Sequence, residues 1–85
     1  MKISASEQVA GWLRGLPPEP KRRVRAALRG LEHWQGDIKA LQGELDGFYR
    51  LRVGGYRLVY RIRAGQTIQL EYADTSSVAK PQPNS

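Results

Sequence analysis

The side chains that could do chemistry are concentrated in one segment of the chain. The stretch from Gly47 to Arg63, GFYRLRVGGYRLVYRIR, contains five arginines and no acidic residue. The planar guanidinium of arginine binds phosphate through two parallel hydrogen bonds, and it remains charged because it does not deprotonate in proteins. Such a cluster can stabilise a phosphate ester and its transition state, but it cannot transfer a proton. The segment therefore indicates a binding site for a polyanion; the alternative is an exposed sheet face kept polar for solubility.

The Gly54-Gly55 pair predicts a β-hairpin with the arginines on one side. Glycine accepts the positive φ of a two-residue primed turn, which sets Arg52 opposite Arg57. Like charges directly across two strands are destabilising by up to roughly 1 kcal/mol, so we expect an anion to bind between them. Strand alternation turns one face toward the core: Tyr49, Leu51, Val53, Tyr56, Leu58, Tyr60 and Ile62. The opposite face, called the basic face below, carries Phe48, Arg50, Arg52, Arg57, Val59, Arg61 and Arg63.

A third strand follows if Ala64-Gly65-Gln66 forms a three-residue loop that sets Ile62 opposite Ile68. The predicted register then pairs Arg61 with Gln69, Val59 with Glu71, and Arg57 with Ala73. On this register Glu71 is the only acid on the basic face, and Asp74 lies one residue beyond the strand. Glu71 is a candidate general base, with a simple counter-ion to Arg57 or Arg61 as the alternative.

The preceding elements must support this sheet. Lys2 to Ser4 predicts a short strand, Ser6 is suited to cap a first helix, and a second helix is expected from Pro20 to about Trp34. We predict an α+β fold in which an N-terminal strand and an antiparallel helical hairpin pack on an antiparallel sheet. Residues 1–74 would form one domain, and residues 75–85, with one valine and two prolines, a flexible tail.

The second predicted helix has a basic side of its own, formed by Lys21, Arg22, Arg25 and Arg29. A solvated helical surface is the usual explanation of such a run. The alternative is contact with RNA phosphates, which position a protein without reading sequence. His33, near the end of the same helix, is expected to interact with the helix dipole.

The composition excludes several classes of site. The 85 residues carry a net charge of +6, no cysteine and one histidine, which argues against a disulfide framework and a thiolate or histidine metal cluster. We expect no metal and no cofactor. The positive charge favours nucleic acid or an acidic protein as partner. Since no long apolar run is present, we expect a cytoplasmic protein without a membrane partner.

The segment ALQGELDGFYRLRVGGYRLVYRI resembles the central signature of the RelE/ParE superfamily of bacterial toxins, and it is nearer the RelE branch. Leu41-Gln42-Gly43 matches the Leu-x-Gly that precedes a basic strand in that family. The sequence YRLRVGGYRLVYRI matches the basic strand, the glycine turn and the Tyr-Arg strand. The resemblance covers about three-quarters of the chain in element order.

This resemblance implies a microbial-ribonuclease-like fold, a toxin role in a toxin–antitoxin pair, and cleavage of mRNA in the ribosomal A site. It also implies an acidic cognate antitoxin that covers the basic site. Carried over by position, Arg50, Arg52 and Arg57 would bind phosphate and stabilise the transition state. The chain departs from the family after its last strand, where Ser77 stands near the position of an expected arginine and no tyrosine follows Tyr72.

That departure leaves two alternatives to a nuclease. One is a ParE-like toxin that inhibits DNA gyrase by protein–protein contact and needs no catalytic arginine or tyrosine. The other is a catalytically degenerate member that retains only antitoxin binding.

Overall fold

The computed structural model describes residues 2–75, which form a five-stranded sheet with two helices on one face. The elements are β1 (Lys2–Ala5), α1 (Glu7–Arg14), α2 (Pro18–Leu31), β2 (Asp37–Ala40), a 3-10 turn (Gly43–Leu45), β3 (Phe48–Val53), β4 (Tyr56–Arg63) and β5 (Thr67–Thr75). Their order in the sheet is β1-β5-β4-β3-β2, with β1 parallel to β5 and the other neighbours antiparallel. The predicted α+β architecture is confirmed.

Strand β2 lies where the sequence predicted only a connection, residues 35–46. It is a four-residue edge strand, and of its side chains only Ile38 is partly buried. A strand this short and this exposed has no alternating apolar pattern to reveal it. It nevertheless extends the sheet beside β3, pairing Asp37 with Arg52 and Lys39 with Arg50.

Helix α2 begins and ends earlier than predicted. Both Pro18 and Pro20 fit in its first turn, where the missing N–H has no partner within the helix. The helix ends at Leu31, and the chain then turns sharply through Trp34 and Gly36, whose φ angles are 58° and 125°. A Cβ at Gly36 would also lie 3.0 Å from Leu51 Cδ1, a tight contact, so both the φ angle and the available space favour glycine there.

The core lies between the helices and one face of the sheet. Val9 of α1 and Val24 and Leu31 of α2 are fully buried against the strands. The buried strand residues are Leu51, Leu58, Tyr60, Ile68, Leu70 and Ala73. Ile62, predicted on this face, is 38% exposed because it lies near the end of β4. No helix within residues 2–75 is long and apolar enough to cross a membrane.

Helix α1 is tied to β5 by side chains rather than by a further strand. Beyond Leu70, β5 has no β1 partner, and Ser6 and Gln8 bond its backbone instead. The Ser6 hydroxyl accepts a hydrogen bond from the Val9 N–H (3.2 Å) and donates one to the Glu71 carbonyl (3.1 Å). The predicted N-cap is therefore confirmed, and the same hydroxyl also links the helix to the sheet.

Replacing Ser6 by alanine is expected to lower the free energy of unfolding by about 1–2 kcal/mol, because it removes both the cap and the bond to β5. Urea denaturation of the two proteins measures this difference. Ser4→Ala in β1, whose side chain is exposed, provides the control. If Ser6→Ala and Ser4→Ala unfold at the same urea concentration, the role assigned to the Ser6 hydroxyl is wrong.

Candidate functional site

The first hairpin has the predicted register along its whole length. Val53 pairs with Tyr56, Arg52 with Arg57, and Phe48 with Arg61. Gly54 has φ 58°, as the first central position of the primed turn requires. The helices pack against the side that carries Leu51, Leu58 and Tyr60, so the basic face is the outer surface of the sheet.

The second hairpin contains a β-bulge that the sequence analysis did not predict. Ile62 pairs with Ile68 and Arg61 with Gln69 as expected, but the register then shifts between Tyr60 and Val59. Glu71 is the extra residue, so Val59 opposes Tyr72 and not Glu71. Arg57 likewise opposes Asp74 and not Ala73. The predicted pairing was right as far as Leu70, which opposes Tyr60, and wrong by one residue beyond it.

The bulge reverses the faces of the sheet on which the Tyr72 and Ala73 side chains lie. Ala73 turns inward and is 2% exposed, and both its N–H and its carbonyl bond the Gln8 side chain of α1 at 3.0 Å. Regular alternation from Ile68 and Leu70 would direct Tyr72 into the core, but its side chain lies on the basic face and is 46% exposed. A small residue thus occupies the position beneath α1, and a phenol is directed outward.

Asp74 is also brought onto the basic face, where it forms a bidentate ion pair with Arg57. The Arg57 Nε and Nη2 atoms donate to its two carboxylate oxygens at 3.2 and 2.7 Å. This hydrogen bonding is the main cause that raises the pKa of Arg57. The prediction that Glu71 is the only acid on this face was wrong. Asp74 and Thr75, placed beyond the strand by the sequence, are its last two residues.

Glu71 is paired with a different arginine. Its carboxylate accepts a hydrogen bond from Arg61 Nε at 2.8 Å, and the Arg61 guanidinium lies 5.9 Å from the centre of the Phe48 ring. The counter-ion geometry considered from the sequence is therefore the observed one. The Glu71 carboxylate would have to leave this ion pair before it could accept a proton from a substrate.

A cleft of about 370 Å³ opens on the basic face, and we call it the arginine cleft. Its apolar wall comes from the 3-10 turn region and β3–β5, and its polar groups are two guanidiniums, one carboxylate and one phenol. The lining residues are Leu41, Leu45, Phe48, Arg50, Arg57, Val59, Glu71 and Tyr72. Four predicted site residues thus come together: Phe48, Arg50, Arg57 and Glu71. Arg52 and Arg63 are exposed on the same face, outside the cleft lining.

Arg50 is the most enclosed arginine of this group. Its side chain is 14% exposed, and Nη1 is buried without a hydrogen-bond partner among residues 2–75. Nη2 lies 3.8 Å from a carboxylate oxygen of the exposed Asp37. An unsatisfied buried donor costs about 1–3 kcal/mol, more when it is charged. An anion in the cleft would supply the missing acceptor.

The basic residues of α2 form a separate surface. Lys21, Arg22, Arg25 and Arg29 line a depression of about 410 Å³ together with Pro18. Because α2 packs on the core face of the sheet, this depression and the arginine cleft belong to opposite faces of the fold. Arg22 is paired with Glu19, and Lys21 donates to the Arg14 carbonyl. The two sets of predicted RNA-binding residues therefore do not form one site.

Two further predictions concern residues without a place in the cleft. His33 is exposed in the turn after α2. Ser77 and the predicted tail beyond Thr75 lie outside the described residues. Within residues 2–75 no cluster of histidine and carboxylate side chains could hold a metal ion.

The fold of this chain resembles that of several solved toxin structures. No protein-family model matches the chain, and no curated protein matches it. A chain of the toxin–antitoxin complex RelBE2 from Mycobacterium tuberculosis is 28% identical. The match covers 87% of this chain and 95% of that one, with a TM-score of 0.73.

Two further structures have the same architecture at lower identity. The YoeB/ParE toxin from Agrobacterium tumefaciens is 17% identical, with coverage of 88% of this chain and 98% of that one and a TM-score of 0.72. The isolated RelE toxin from E. coli is 14% identical, with coverage of 88% and 83% and a TM-score of 0.72. These two relatives show the fold alone. With the glycine-turn hairpin and its register in place, the chain has the fold of the RelE and YoeB/ParE toxins, as the resemblance of its central segment implied.

Proposed function

We propose that this protein is the toxin of a toxin–antitoxin pair and that it inhibits translation as a ribosome-dependent mRNA endonuclease. The observation that carries the proposal is the arginine cleft, which Arg50 and Arg57 both line and in which a buried guanidinium nitrogen of Arg50 has no hydrogen-bond partner among residues 2–75. A phosphate diester provides acceptor oxygens for both side chains. RNA cleavage also generates additional negative charge at that phosphate, which preorganised guanidiniums stabilise.

The rest of the cleft suits a nucleotide. Phe48 provides an aromatic face on which a base can stack, and Leu41 and Leu45 continue the apolar wall. Arg52 and Arg63, exposed on the same face, would contact neighbouring phosphates of the mRNA. Arg61 would contribute to the same field while paired with Glu71. Arg52, a candidate catalytic residue, is thus assigned to mRNA binding, and Glu71 is assigned as the counter-ion of Arg61.

The depression on α2 would meet a second polyanion. In a ribosome-dependent enzyme Lys21, Arg22, Arg25 and Arg29 would contact ribosomal RNA while the opposite face holds the mRNA. Phosphate contacts release counter-ions, so ribosome binding should weaken steeply with added salt.

An acidic antitoxin is the proposed protein partner. A net charge of +6 and an outer sheet face with five arginines favour a partner that supplies carboxylates. The 28% identical relative was solved as a toxin–antitoxin complex, which supports the same kind of partner here. Carboxylates placed on Arg50 and its neighbours would satisfy their donors and block RNA access together.

Induction of the protein in a bacterial host without its antitoxin is the direct test. We expect growth arrest with mRNA breaks that keep a fixed phase within codons, and recovery when the antitoxin is co-expressed. Intact mRNA together with a DNA-damage response would contradict the nuclease and favour gyrase inhibition. Harmless overexpression together with tight antitoxin binding would indicate a degenerate member.

A further inference from the structure

The β-bulge at Glu71 gives the arginine cleft a phenol. Tyr72 lines the cleft with Arg50 and Arg57, and its side chain is 46% exposed. It opposes Val59 on β4, two residues from Arg57 on the same face of that strand. Its hydroxyl has no hydrogen-bond partner among residues 2–75. Without the bulge, strand alternation would direct this side chain into the core.

The other polar groups at this position are not available for proton transfer. The arginines do not deprotonate. The Glu71 carboxylate is engaged by Arg61, and Asp74 is engaged by Arg57 through two hydrogen bonds. A phenol is protonated at neutral pH and can donate that proton. Among the cleft residues Tyr72 is therefore the remaining group with a proton to give.

We propose that Tyr72 is the general acid that protonates the leaving 5′-oxygen during RNA cleavage, an inference that rests on the proposed ribonuclease function. The 2′-oxygen attacks phosphorus and forms a new P–O bond, and the proton of the 2′-hydroxyl passes to water. The bond from phosphorus to the 5′-oxygen breaks, and that oxygen takes the Tyr72 proton. The resulting phenolate regains a proton from water.

The products are a 2′,3′-cyclic phosphate and a 5′-hydroxyl, so no other reactant is needed. Arg50 and Arg57, which line the same cleft, would hold the non-bridging oxygens while Tyr72 transfers the proton. The assignment separates two roles that the sequence alone could not separate. The arginines stabilise charge, and Tyr72 moves the proton.

Tyr72→Phe keeps the ring and removes the proton. In single-turnover cleavage of ribosome-bound mRNA by the full-length chain, we expect a rate roughly 10²-fold lower, with unchanged ribosome affinity. Tyr56→Phe is the matched control, since Tyr56 packs on Trp12 on the helix side of the sheet, and its rate should stay within about twofold of the unsubstituted protein.

A sulfur-substituted substrate distinguishes an acid from a structural residue. When sulfur replaces the 5′-oxygen at the cleavage site, the leaving thiolate departs without a proton, so Tyr72→Phe should cleave at the rate of the unsubstituted protein. Arg50→Ala should stay slow on this substrate, because its role is at the non-bridging oxygens.

Each outcome is decisive. The proposal is wrong if Tyr72→Phe cleaves ordinary mRNA at the normal rate. It is also wrong if Tyr72→Phe stays slow on the sulfur substrate. If the unsubstituted protein cleaves neither substrate, the proposed ribonuclease function fails, and the assignment of Tyr72 fails with it.

Discussion

If the proposed nuclease function is right, Arg50→Ala is expected to lower the rate of mRNA cleavage by roughly 10²–10³-fold, the usual loss when one preorganised donor to a transition state is removed. The expectation follows from the position of Arg50 in the cleft, where its side chain is 14% exposed and Nη1 has no partner among the described residues. Nη1 has no hydrogen bond within residues 2–75 that must break before the guanidinium turns toward a substrate. Single-turnover cleavage on programmed ribosomes measures the loss.

Arg50 is a cleaner choice for this experiment than Arg57. Removing Arg57 would leave the Asp74 carboxylate, 28% exposed, without its bidentate partner. The variant would then combine lost transition-state stabilisation with a repulsive charge in the cleft and a loss of folding stability. Within the described part of the chain, removing Arg50 deprives only Asp37 of an ion-pair partner, and that carboxylate is 59% exposed and makes a long 3.8 Å contact.

Two comparisons make the Arg50 result specific. Arg50→Lys keeps the charge but loses the planar fork, so we expect a cleavage rate between those of the alanine variant and the unsubstituted protein. Arg63→Ala removes an exposed arginine of the same face and should lower mainly the salt-dependent binding. Urea denaturation establishes that each variant is folded. Equal cleavage rates for Arg50→Ala and Arg63→Ala would place the active site elsewhere.

The hairpin could be predicted from sequence because two independent signals agree there. The glycine pair sets the turn, and apolar alternation on both strands then permits one register. The family motif lies in the same segment, so the positions of Arg50 and Arg57 on the outer face were also predictable. Only the structure shows that both arginines line a cleft and that Asp74 pairs with Arg57.

The bulge could not be predicted because nothing in the local pattern demands it. Ile68, Leu70 and Tyr72 continue a regular alternation, which is a normal strand signal. Where the alternation breaks, the strand contacts a distant segment, because Gln8 of α1 bonds both backbone groups of Ala73. A small residue directly after Tyr72 is the one local hint. The polar groups of the cleft, Glu71 and Tyr72, are therefore positioned by tertiary structure.

The described tyrosines separate into two environments that follow from the same register. Tyr72 is on the outer face, whereas Tyr60 is fully buried and stacks on Tyr49, with Trp34 packed edge-on against both rings. The Tyr60 hydroxyl is buried without a hydrogen-bond partner among residues 2–75. This makes Tyr60 a structural residue whose phenol is an energetic cost to the fold.

Stability should therefore fall in alkaline solution in a way that depends on Tyr60. Burial, with a smaller effect of Tyr49, raises the pKa of Tyr60 to about 12, whereas the unfolded chain releases this proton near pH 10. Between about pH 10 and 12 the unfolded state loses the proton that the folded state keeps, so unfolding becomes easier as the pH rises. Below about pH 10 the ionisation of Tyr60 leaves the free energy of unfolding unchanged. By pH 12 it lowers that free energy by about 2–3 kcal/mol.

Tyr60→Phe should remove this pH dependence and, near pH 7, raise the free energy of unfolding by about 1 kcal/mol, because it deletes an unsatisfied buried hydroxyl. Urea denaturation of both proteins at pH values between 7 and 12 measures the two effects together. Tyr56→Phe, on the same strand, should keep the alkaline loss. If the Tyr60→Phe protein loses as much stability above pH 10 as the unsubstituted one, other groups cause the loss. A lower stability of Tyr60→Phe near pH 7 would mean that the hydroxyl has a partner in the folded protein, and the assigned cost would then be wrong.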